Sequence, residues 1–234
     1  MLVINNLKFS YPDSTDTMCF NLQVNQGEIL SLIGASGSGK TTLLNLIAGF
    51  NLAASGEIII DGNDITHLPI AKRPVTTVFQ AHNLFPHLDV FTNIAIGIKP
   101  SLKLNQEEKE KIDNALENVG LSNFATRQPA QLSGGQRQRV ALARVLVRKQ
   151  KILLLDEPLA ALGPAMREEI IELIKTLVKE KAMAALFVSH QPDDARIASQ
   201  RIAFMHQGRV LDIGDKQSIL ENSSHKEIQD YLGG

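Results

Sequence analysis

The sequence has few of the features that mark exported or membrane-spanning proteins. Cys19 is the only cysteine among 234 residues, which excludes a disulfide framework and favours a reducing compartment. The N-terminal residues contain no basic region followed by an apolar stretch, so a secretory signal is not expected. No apolar run approaches the roughly 18 residues that a membrane-spanning helix needs. We therefore expect a soluble, cytosolic chain that reaches a membrane only through a partner.

An excess of charge of either sign is also absent. Lysine and arginine total 24 and aspartate and glutamate 25, which gives a formal net charge of −1. This balance provides no electrostatic footprint for nucleic acid or anionic lipid. Apolar residues make up 44% of the chain, which is enough for a packed core and argues against disorder. The length allows one or two domains.

Apolar patterns along the chain predict a sheet covered by helices. Apolar and polar residues alternate between residues 17 and 25, as in a strand with one buried face. Apolar or β-rich runs predict further strands at residues 29–33, 57–61, 151–156, 184–188, 202–205 and 209–213, the last two as a hairpin. Helical patterns lie at residues 40–50, 105–119 and 136–149. This alternation is typical of an α/β fold with a parallel sheet, into which a helical segment at about residues 82–149 would be inserted.

A glycine-rich loop between a buried strand and a helix predicts a phosphate site. Residues 34–41, GASGSGKT, fit the pattern G-x-x-x-x-G-K-[ST] in full. Glycines let backbone N–H groups turn toward an anion, which a Cβ would obstruct. Lys40 would place its charge on the β- and γ-phosphates, and the Thr41 hydroxyl can ligate Mg²⁺. A chance glycine-rich turn is the alternative, and the strand-to-helix context argues against it.

Two acids follow the apolar strand at residues 151–156. Ligands of open α/β sheets sit beyond the carboxyl ends of the strands, so Asp156 and Glu157 are expected to point at the phosphate site. One carboxylate can hold Mg²⁺, and its neighbour can orient and deprotonate an attacking water. A strand that merely ends in two solvated acids is the alternative. Together with the phosphate loop, the pair indicates a nucleoside triphosphatase.

A second glycine-rich turn stands before the helical pattern at 136–149. It reads Leu132-Ser133-Gly134-Gly135-Gln136, with Ser133 as a plausible N-cap and two glycines that expose N–H groups. A single nucleotide seldom needs two anion sites from one chain, so this site would serve the ATP of another subunit. Taken alone, the turn is better explained as a loop with a helix cap.

These motifs together resemble the ATP-binding subunits of ABC transporters over essentially all 234 residues. GASGSGKTT is similar to the family's Walker A motif, LSGGQRQRVALAR to its signature and ILLLDEP to its Walker B motif. Gln80 in VFQ matches the Q-loop glutamine, and His190 in FVSH matches the switch histidine. Tyr11 in FSYPD occupies the place of the aromatic residue that stacks on adenine.

The resemblance implies a P-loop NTPase (RecA-like) fold, with a mostly parallel sheet core, an N-terminal antiparallel β-subdomain and an inserted helical subdomain. It implies that two copies pair head to tail around ATP and Mg²⁺. Glu157 would be the general base, Gln80 would sense Mg²⁺ and water, and His190 would contact the γ-phosphate. The residues that it assigns to ATP are Tyr11, Gly34, Ala35, Ser36, Gly37, Ser38, Gly39, Lys40, Thr41, Thr42, Ser133, Gly134, Gly135 and Gln136. It assigns Mg²⁺ to Thr41, Gln80 and Asp156.

The subclass resembled is the bacterial importer, whose ATPase is a separate chain. This implies a homodimer under a membrane permease at the cytoplasmic face of the inner membrane, a periplasmic substrate-binding protein as an indirect partner, and no nucleic acid. Residues 81–88 would receive the permease, or else pack locally inside the helical insertion. LLNLIAGF, RPVTTVFQAHNLFPHL and GIKPSLKLN resemble the ATP-binding subunits of thiamine importers, which predicts uptake of thiamine or its phosphates. The alternatives are an importer of molybdate, iron or polyamine, and a soluble ABC ATPase without a transport role.

One position departs from the family pattern. The family usually has Ser-Ala-Leu-Asp after Walker B, whereas this chain has Ala160-Ala161-Leu162-Gly163. Family members use that aspartate to link the two nucleotide sites of the dimer, and Gly163 has no side chain to do so. We expect looser coupling between the sites with nucleotide binding largely intact.

Overall fold

The computed structural model describes residues 1–12, 15–79, 84–160 and 162–233, and these residues form one ten-stranded sheet with helices. The strands are β1 (Leu2–Phe9), β2 (Met18–Val24), β3 (Ile29–Ile33), β4 (Ser55–Ile60), β5 (Asn63–Asp64), β6 (Val75–Val78), β7 (Ile152–Asp156), β8 (Ala184–Val188), β9 (Arg201–His206) and β10 (Arg209–Asp215). The helices are α1 (Lys40–Ala48), α2 (Val90–Ala95), α3 (Gln106–Asn118), α4 (Gly134–Leu146), α5 (Pro164–Glu180), α6 (Pro192–Ala198), α7 (Lys216–Glu221) and α8 (Lys226–Leu232).

The sheet combines a parallel centre with an antiparallel end. Its strand order is β5-β4-β1-β2-β10-β9-β3-β8-β7-β6. Strand β3 pairs in parallel with β8 and β9, and β7 pairs in parallel with β8. In the antiparallel part, β1 pairs with β2 and with β4, and β4 pairs with β5. Strands β9 and β10 form the predicted hairpin. This mixed sheet with helices confirms the predicted P-loop α/β fold class.

The central strands form because their residues are apolar on both faces. All five residues of β3 and all five of β8 are buried, as are the first four of β7. Strand β8 has the bounds that the sequence predicts. Helix α1 ends at Ala48, two residues before the predicted end, because Gly49 caps it with a φ of +91°.

Two units are distinguished by the internal packing of the chain. The first comprises residues 1–77, 151–157 and 178–234, and the second comprises residues 78–150 and 158–177. The first unit holds the sheet except for Val78 at the end of β6, and its main core cluster includes residues of β1–β4, α1 and β7–β9. The second unit holds α2, α3, α4 and most of α5. None of the helices among the described residues is both long and apolar enough to cross a bilayer.

Helix α3 of the second unit has the predicted amphipathic character. The Asn105 side chain accepts a hydrogen bond from the Glu108 amide, and the Glu108 carboxylate accepts one from the Asn105 amide. This reciprocal cap fixes the start of the helix. Ile112 and Leu116 are buried one turn apart, and the charged residues lie on the opposite side.

A buried arginine fixes the C-terminal end of α1. Arg73 is 3% exposed and donates hydrogen bonds of 2.6–2.9 Å to four backbone carbonyls. The acceptors are the carbonyls of Leu46, Ile47, Thr66 and Leu68. The last carbonyls of a helix have no partner within the helix, so this guanidinium supplies the missing donors.

We expect Arg73→Met to destabilise the protein by about 3 kcal/mol, because each buried carbonyl left without a donor costs roughly 1–3 kcal/mol and some would regain water. That loss lowers the melting temperature by about 6–12 °C in a protein of this size. Lys72→Met is the matched control, since Lys72 is the exposed neighbour of Arg73. Thermal unfolding followed by circular dichroism measures both variants, and equal melting temperatures would contradict the structural role of Arg73.

Candidate functional site

The phosphate loop follows β3 and is shaped by its glycines. Gly34 has a φ of +144°, and a Cβ built there would lie 2.2 Å from the carbonyl oxygen of Met205. Gly39 precedes α1 with a φ of +102°, a conformation that residues with side chains rarely adopt. Ala35, Ser36 and Gly37 are exposed between them, which leaves the loop open to an anion.

Lys40 is held inside this loop. Its side chain is buried, and Nζ donates to the carbonyl oxygens of Gly34 at 2.7 Å and Ala35 at 2.8 Å, and to Oγ of Ser38 at 3.2 Å. Burial lowers the pKa of Lys40, and the negative charges of Glu157 and Asp156 oppose that shift. The ammonium group therefore occupies the centre of the loop, where an anionic phosphate would be attracted to it.

Asp156 faces the start of α1 from the end of β7. Burial raises the pKa of its carboxyl group, and the nearby charge of Glu157 raises it further. His190, Lys40 and a hydrogen bond with the Thr41 side chain act in the opposite direction. Within the described part of the chain, Oδ1 of Asp156 is buried and has no hydrogen-bond partner. This oxygen is free to bind a ligand.

The Asp156 and Thr41 oxygens fit Mg²⁺. Hard divalent cations prefer oxygen ligands, and Mg²⁺ is commonly held by one or two carboxylates, substrate phosphates and water rather than by an all-protein cage. The described residues contain no cluster of three or more histidine, cysteine, aspartate or glutamate side chains that could hold a metal. The Asp156 carboxylate and the Thr41 hydroxyl beside a phosphate loop match binding of Mg²⁺ by few protein ligands together with phosphates and water.

Glu157 and His190 form a contact pair next to Asp156. Oε1 of Glu157 lies 2.5 Å from Nε2 of His190. The backbone of Glu157 has a φ of +49°, a left-handed conformation that is costly for a residue with a side chain. Its amide donates to the carbonyl oxygen of Val188 at the end of the neighbouring β8. This turn directs the carboxylate toward His190, which has 44% of its side chain exposed.

The structure places Tyr11 beside the phosphate-loop helix. Its hydroxyl forms a 2.9 Å hydrogen bond with the side chain of Thr42, and its ring meets that of Phe9 edge-on with centroids 4.8 Å apart. Tyr11 remains 43% exposed, so its ring presents free surface next to α1. An adenine base could stack on such a surface.

The second glycine-rich turn belongs to the other unit. Oγ of Ser133 accepts a hydrogen bond from the Gln136 amide, and Oε1 of Gln136 accepts one from the Ser133 amide. This cap makes α4 begin at Gly134, so the predicted start at residue 136 and the predicted end at 149 are both wrong. A Cβ at Gly135 would lie 1.9 Å from Sδ of Met166, so a larger residue there would require the Met166 side chain to move.

The predicted permease-contact segment, residues 81–88, is only partly described. Gln80, Ala81, His82 and Asn83 lie outside the described residues. Phe85 is 43% exposed, although its backbone is fixed by the buried side chain of Asn93, which accepts from the Phe85 amide at 2.8 Å and donates to its carbonyl oxygen at 3.0 Å. Arg144 in turn donates to the Asn93 carbonyl oxygen at 2.9 Å.

The sequence did not identify two further parts of this site. Ser189 accepts a hydrogen bond from the Gln191 amide and donates one to Asp194, which shapes the turn around His190. Tyr231 donates from its hydroxyl to the His190 carbonyl oxygen at 3.0 Å. The Ser189-His190 pair, which stands just before the helix that begins at Pro192, hints at the turn formed by Ser189. No sequence pattern indicates the contact made by Tyr231.

Comparison with known proteins places this chain in a family. The model of the family described as "ABC transporter" matches residues 18–160. The chain is 48% identical to the thiamine import ATP-binding protein ThiQ of Photobacterium profundum, over 93% of this chain and 90% of the relative. It is 44% identical to ThiQ of Brucella abortus, over 98% and 95%. It is also 44% identical to the spermidine/putrescine import ATP-binding protein PotA of Nitrosomonas europaea, over all of this chain and 64% of that one.

Solved structures of ABC transporter cassettes also align with this chain. The dimeric structure of MJ0796, a bacterial ABC transporter cassette, aligns with a TM-score of 0.80 and 31% identity over 92% of this chain and 99% of that one. The ADP conformation of MJ1267, an ATP-binding cassette of an ABC transporter, aligns with a TM-score of 0.88 and 26% identity over 100% and 99%. The chain therefore belongs to the ABC transporter family, as one of its ATP-binding subunits, an ATPase coupled to transport.

Proposed function

We propose that this site hydrolyses ATP with Glu157 as the general base. The contact of Glu157 with His190 beside the buried Lys40 is the observation that carries this assignment. Glu157 would take a proton from water as the water oxygen attacks the γ-phosphorus, and the bond to the bridging oxygen of ADP would break. His190 would contact the γ-phosphate. Gln80 would sense Mg²⁺ and the attacking water, although its placement lies outside the described residues.

The binding residues follow from the same geometry. Backbone amides of residues 34–39 would surround the phosphates, Lys40 would neutralise the β- and γ-phosphates, and the Tyr11 ring would stack on adenine. Thr41 and Asp156 would hold Mg²⁺, with Gln80 as the third residue of that group. Bound Mg²⁺ neutralises charge that develops on the phosphates.

The Ser133–Gln136 turn would complete the site of a second copy. Two copies would pair head to tail, so that the signature of one faces the phosphate loop of the other. The dimeric structure of the neighbour MJ0796 supports the pairing of two copies. The domain assignment belongs to the same proposal: one ATPase domain spans residues 1–234, with a helical subdomain inserted at about residues 82–149. Helices α2, α3 and α4 lie within that range.

The transport role proposed is uptake of thiamine or its phosphates. ThiQ relatives at 44–48% identity over most of the chain support this solute, and the PotA relative keeps a polyamine as the second candidate. The homodimer would sit under a permease at the cytoplasmic face of the inner membrane, and a periplasmic binding protein would act through that permease. The exposed ring of Phe85 on a fixed backbone supports a protein contact near residues 84–88.

Uptake of labelled thiamine tests the solute. Cells that lack this gene would be complemented with the wild-type chain or with Lys40→Ala, with expression and membrane association checked in both. Uptake restored by the wild-type chain only is the expected result. Failure to restore thiamine uptake from a membrane-associated chain would reassign the solute, and spermidine is then the next substrate to measure. The same failure from a fully soluble chain would overturn the transport role.

Gly163 can accommodate the aspartate that the family usually carries. Gly163 is exposed, and among the described residues no heavy atom lies within 4 Å of a Cβ built there. We expect Gly163→Asp to increase the cooperativity of ATP hydrolysis, with the Hill coefficient rising from near 1 toward 2, its limit for two coupled sites. The dissociation constant for ATP is expected to stay within about twofold, because residue 163 lies outside the phosphate loop. Steady-state rates against ATP concentration measure the effect.

Gly163→Asn separates inter-site coupling from helix capping. The Gly163 carbonyl oxygen accepts the Arg167 amide at the start of α5, so residue 163 is the N-cap of that helix. Asparagine and aspartate cap helices about equally well, but only aspartate carries the charge. Cooperativity that rises equally in both variants, or in neither, would contradict the coupling role.

A further inference from the structure

Tyr231 of the C-terminal helix α8 contacts two parts of the nucleotide site at once. Its hydroxyl donates a 3.0 Å hydrogen bond to the carbonyl oxygen of His190. The backbone amide of Gly34, the first residue of the phosphate loop, lies near the Tyr231 hydroxyl and lowers the pKa of the phenol. Tyr231 is 41 residues from His190 in the sequence, so this contact is made by the fold and not by a local turn.

The tyrosine ring is held firmly enough to act as a support. It meets the buried ring of Phe204 edge-on, with centroids 5.3 Å apart, and packs against a core cluster that includes Ile33 and Ile228. Burial raises the pKa of the phenol, and the Gly34 amide opposes that shift only in part. The hydroxyl therefore keeps its proton at neutral pH and can donate to His190.

The two groups that Tyr231 joins stand at the ends of neighbouring strands. Strand β3 ends one residue before Gly34, and β8 ends two residues before His190. The two strands are paired in parallel, with Leu32 opposite Val188. The Tyr231 hydroxyl thus binds the loop after β8 beside the loop after β3, at the carboxyl end of these parallel strands.

The side chain of His190 is only partly buried, so its position depends on the backbone that carries it. Its side chain is 44% exposed, and Glu157 is the partner that its ring contacts in the described structure. A shift of the His190 backbone would move Nε2 away from Glu157 and from the position of a γ-phosphate. The hydrogen bond from Tyr231 fixes that backbone relative to the core cluster that includes Ile33, the residue before Gly34.

We propose that Tyr231 is a positioning residue for ATP hydrolysis, which holds His190 in register with the phosphate loop. This inference rests on the roles proposed above for Glu157 and His190. The alternative is that Tyr231 only anchors α8 to the core, and the two roles give different kinetics.

Tyr231→Phe removes the hydroxyl and keeps the ring. The turnover number, kcat, is expected to fall roughly three- to tenfold, the range for loss of one net hydrogen bond that acts on the transition state. The dissociation constant for ATP is expected to change less than about twofold, because the phosphate loop keeps its glycines and Lys40. The melting temperature is expected to fall by no more than about 6 °C, which one such bond accounts for.

Leu232→Ala is the matched control for packing of α8. Leu232 is partly buried against the same core cluster as Tyr231, on the same helix. We expect this variant to lower the melting temperature and to leave kcat per folded molecule unchanged. A kcat loss that follows the melting temperature in both variants would overturn the proposal in favour of a structural anchor.

A double-mutant cycle shows whether Tyr231 acts through His190. If it does, Tyr231→Phe causes little further loss of kcat in a His190→Ala background. Fully additive losses, or wild-type kcat in Tyr231→Phe, would overturn the proposal. Glu157→Gln assayed in parallel separates the role of Glu157 from that of Tyr231. Retained turnover in Glu157→Gln overturns the proposed base. Lost turnover in Glu157→Gln together with wild-type kcat in Tyr231→Phe overturns only the role of Tyr231.

Discussion

Replacing Glu157 with glutamine is expected to lower the kcat of ATP hydrolysis by about 10²–10⁴-fold, the usual contribution of a general base. Glutamine has the size of glutamate and can still accept a hydrogen bond, but it cannot take a proton from water at neutral pH. The variant should therefore bind ATP and fail to turn it over. A single-turnover assay with radiolabelled ATP, run beside equilibrium binding of ATP, measures the two quantities separately.

The geometry gives this variant a second measurable effect. Burial raises the pKa of Asp156, and the charge of Glu157 contributes the next largest upward shift. Removing that charge is expected to move the pKa of Asp156 down toward its ordinary value. The Asp156 carboxylate would then be ionised more readily, so Mg²⁺-dependent ATP binding should persist to lower pH in Glu157→Gln than in the wild-type protein.

Glu168→Gln is the matched control, because it makes the same chemical change at an exposed position of α5. Its kcat should equal that of the wild-type protein. Equal turnover by Glu157→Gln and the wild-type protein would refute the base assignment. Loss of both ATP binding and folding would instead show that the left-handed turn at residue 157 requires the carboxylate.

The central sheet could be predicted because its signal is local. Each of β3, β7 and β8 is a short apolar run, and burial on both faces requires little beyond that composition. The amphipathic helix α3 is equally local, since its cap and its buried stripe lie within fifteen residues. The strand order and the continuity of the antiparallel strands with the parallel ones depend on long-range pairing, which periodicity does not encode.

Other elements were missed for physical reasons. Helix α5 is seventeen residues long and was not predicted, although Ile170, Ile171, Ile174 and Leu177 are buried at helical spacing along it. That stripe is a local signal, so the sequence does contain the information for this helix. The role of Arg73 could not be seen at all, because its four acceptors are backbone carbonyls and leave no trace in side-chain chemistry.

The residues of the site likewise fall into those that a local motif predicts and those that only the fold brings together. The phosphate loop could be predicted because a contiguous motif fixes its glycines, Lys40 and Thr41 together. The contact of Glu157 with His190 joins groups 33 residues apart. The family resemblance assigned both residues to the nucleotide site but did not predict this contact. Tyr231 lies farther still from the motif, and nothing in the residues around it distinguishes a bridging hydroxyl from a ring that fills the core.

Replacing Lys40 with alanine is expected to weaken ATP binding by roughly 30- to 1,000-fold, or about 2–4 kcal/mol, because charge-assisted hydrogen bonds to phosphate are among the strongest that proteins make. The buried ammonium now donates to loop carbonyl oxygens, which a bound phosphate would replace as acceptors. Alanine leaves the phosphate charge without this counter-charge in a partly desolvated loop. Isothermal titration calorimetry with ATP and Mg²⁺ measures the loss.

The loss at Lys40 should come from the site and not from unfolding. Burial already lowers the pKa of Lys40, which means that burying this charge is costly for the ATP-free protein. Alanine removes that cost, so the melting temperature without nucleotide should fall little, whereas the stabilisation that ATP gives to the wild-type protein should disappear. Lys179→Ala, at an exposed position of α5, is the control and should retain both properties. An ATP dissociation constant for Lys40→Ala within twofold of the wild-type value would contradict the placement of the phosphates at this loop.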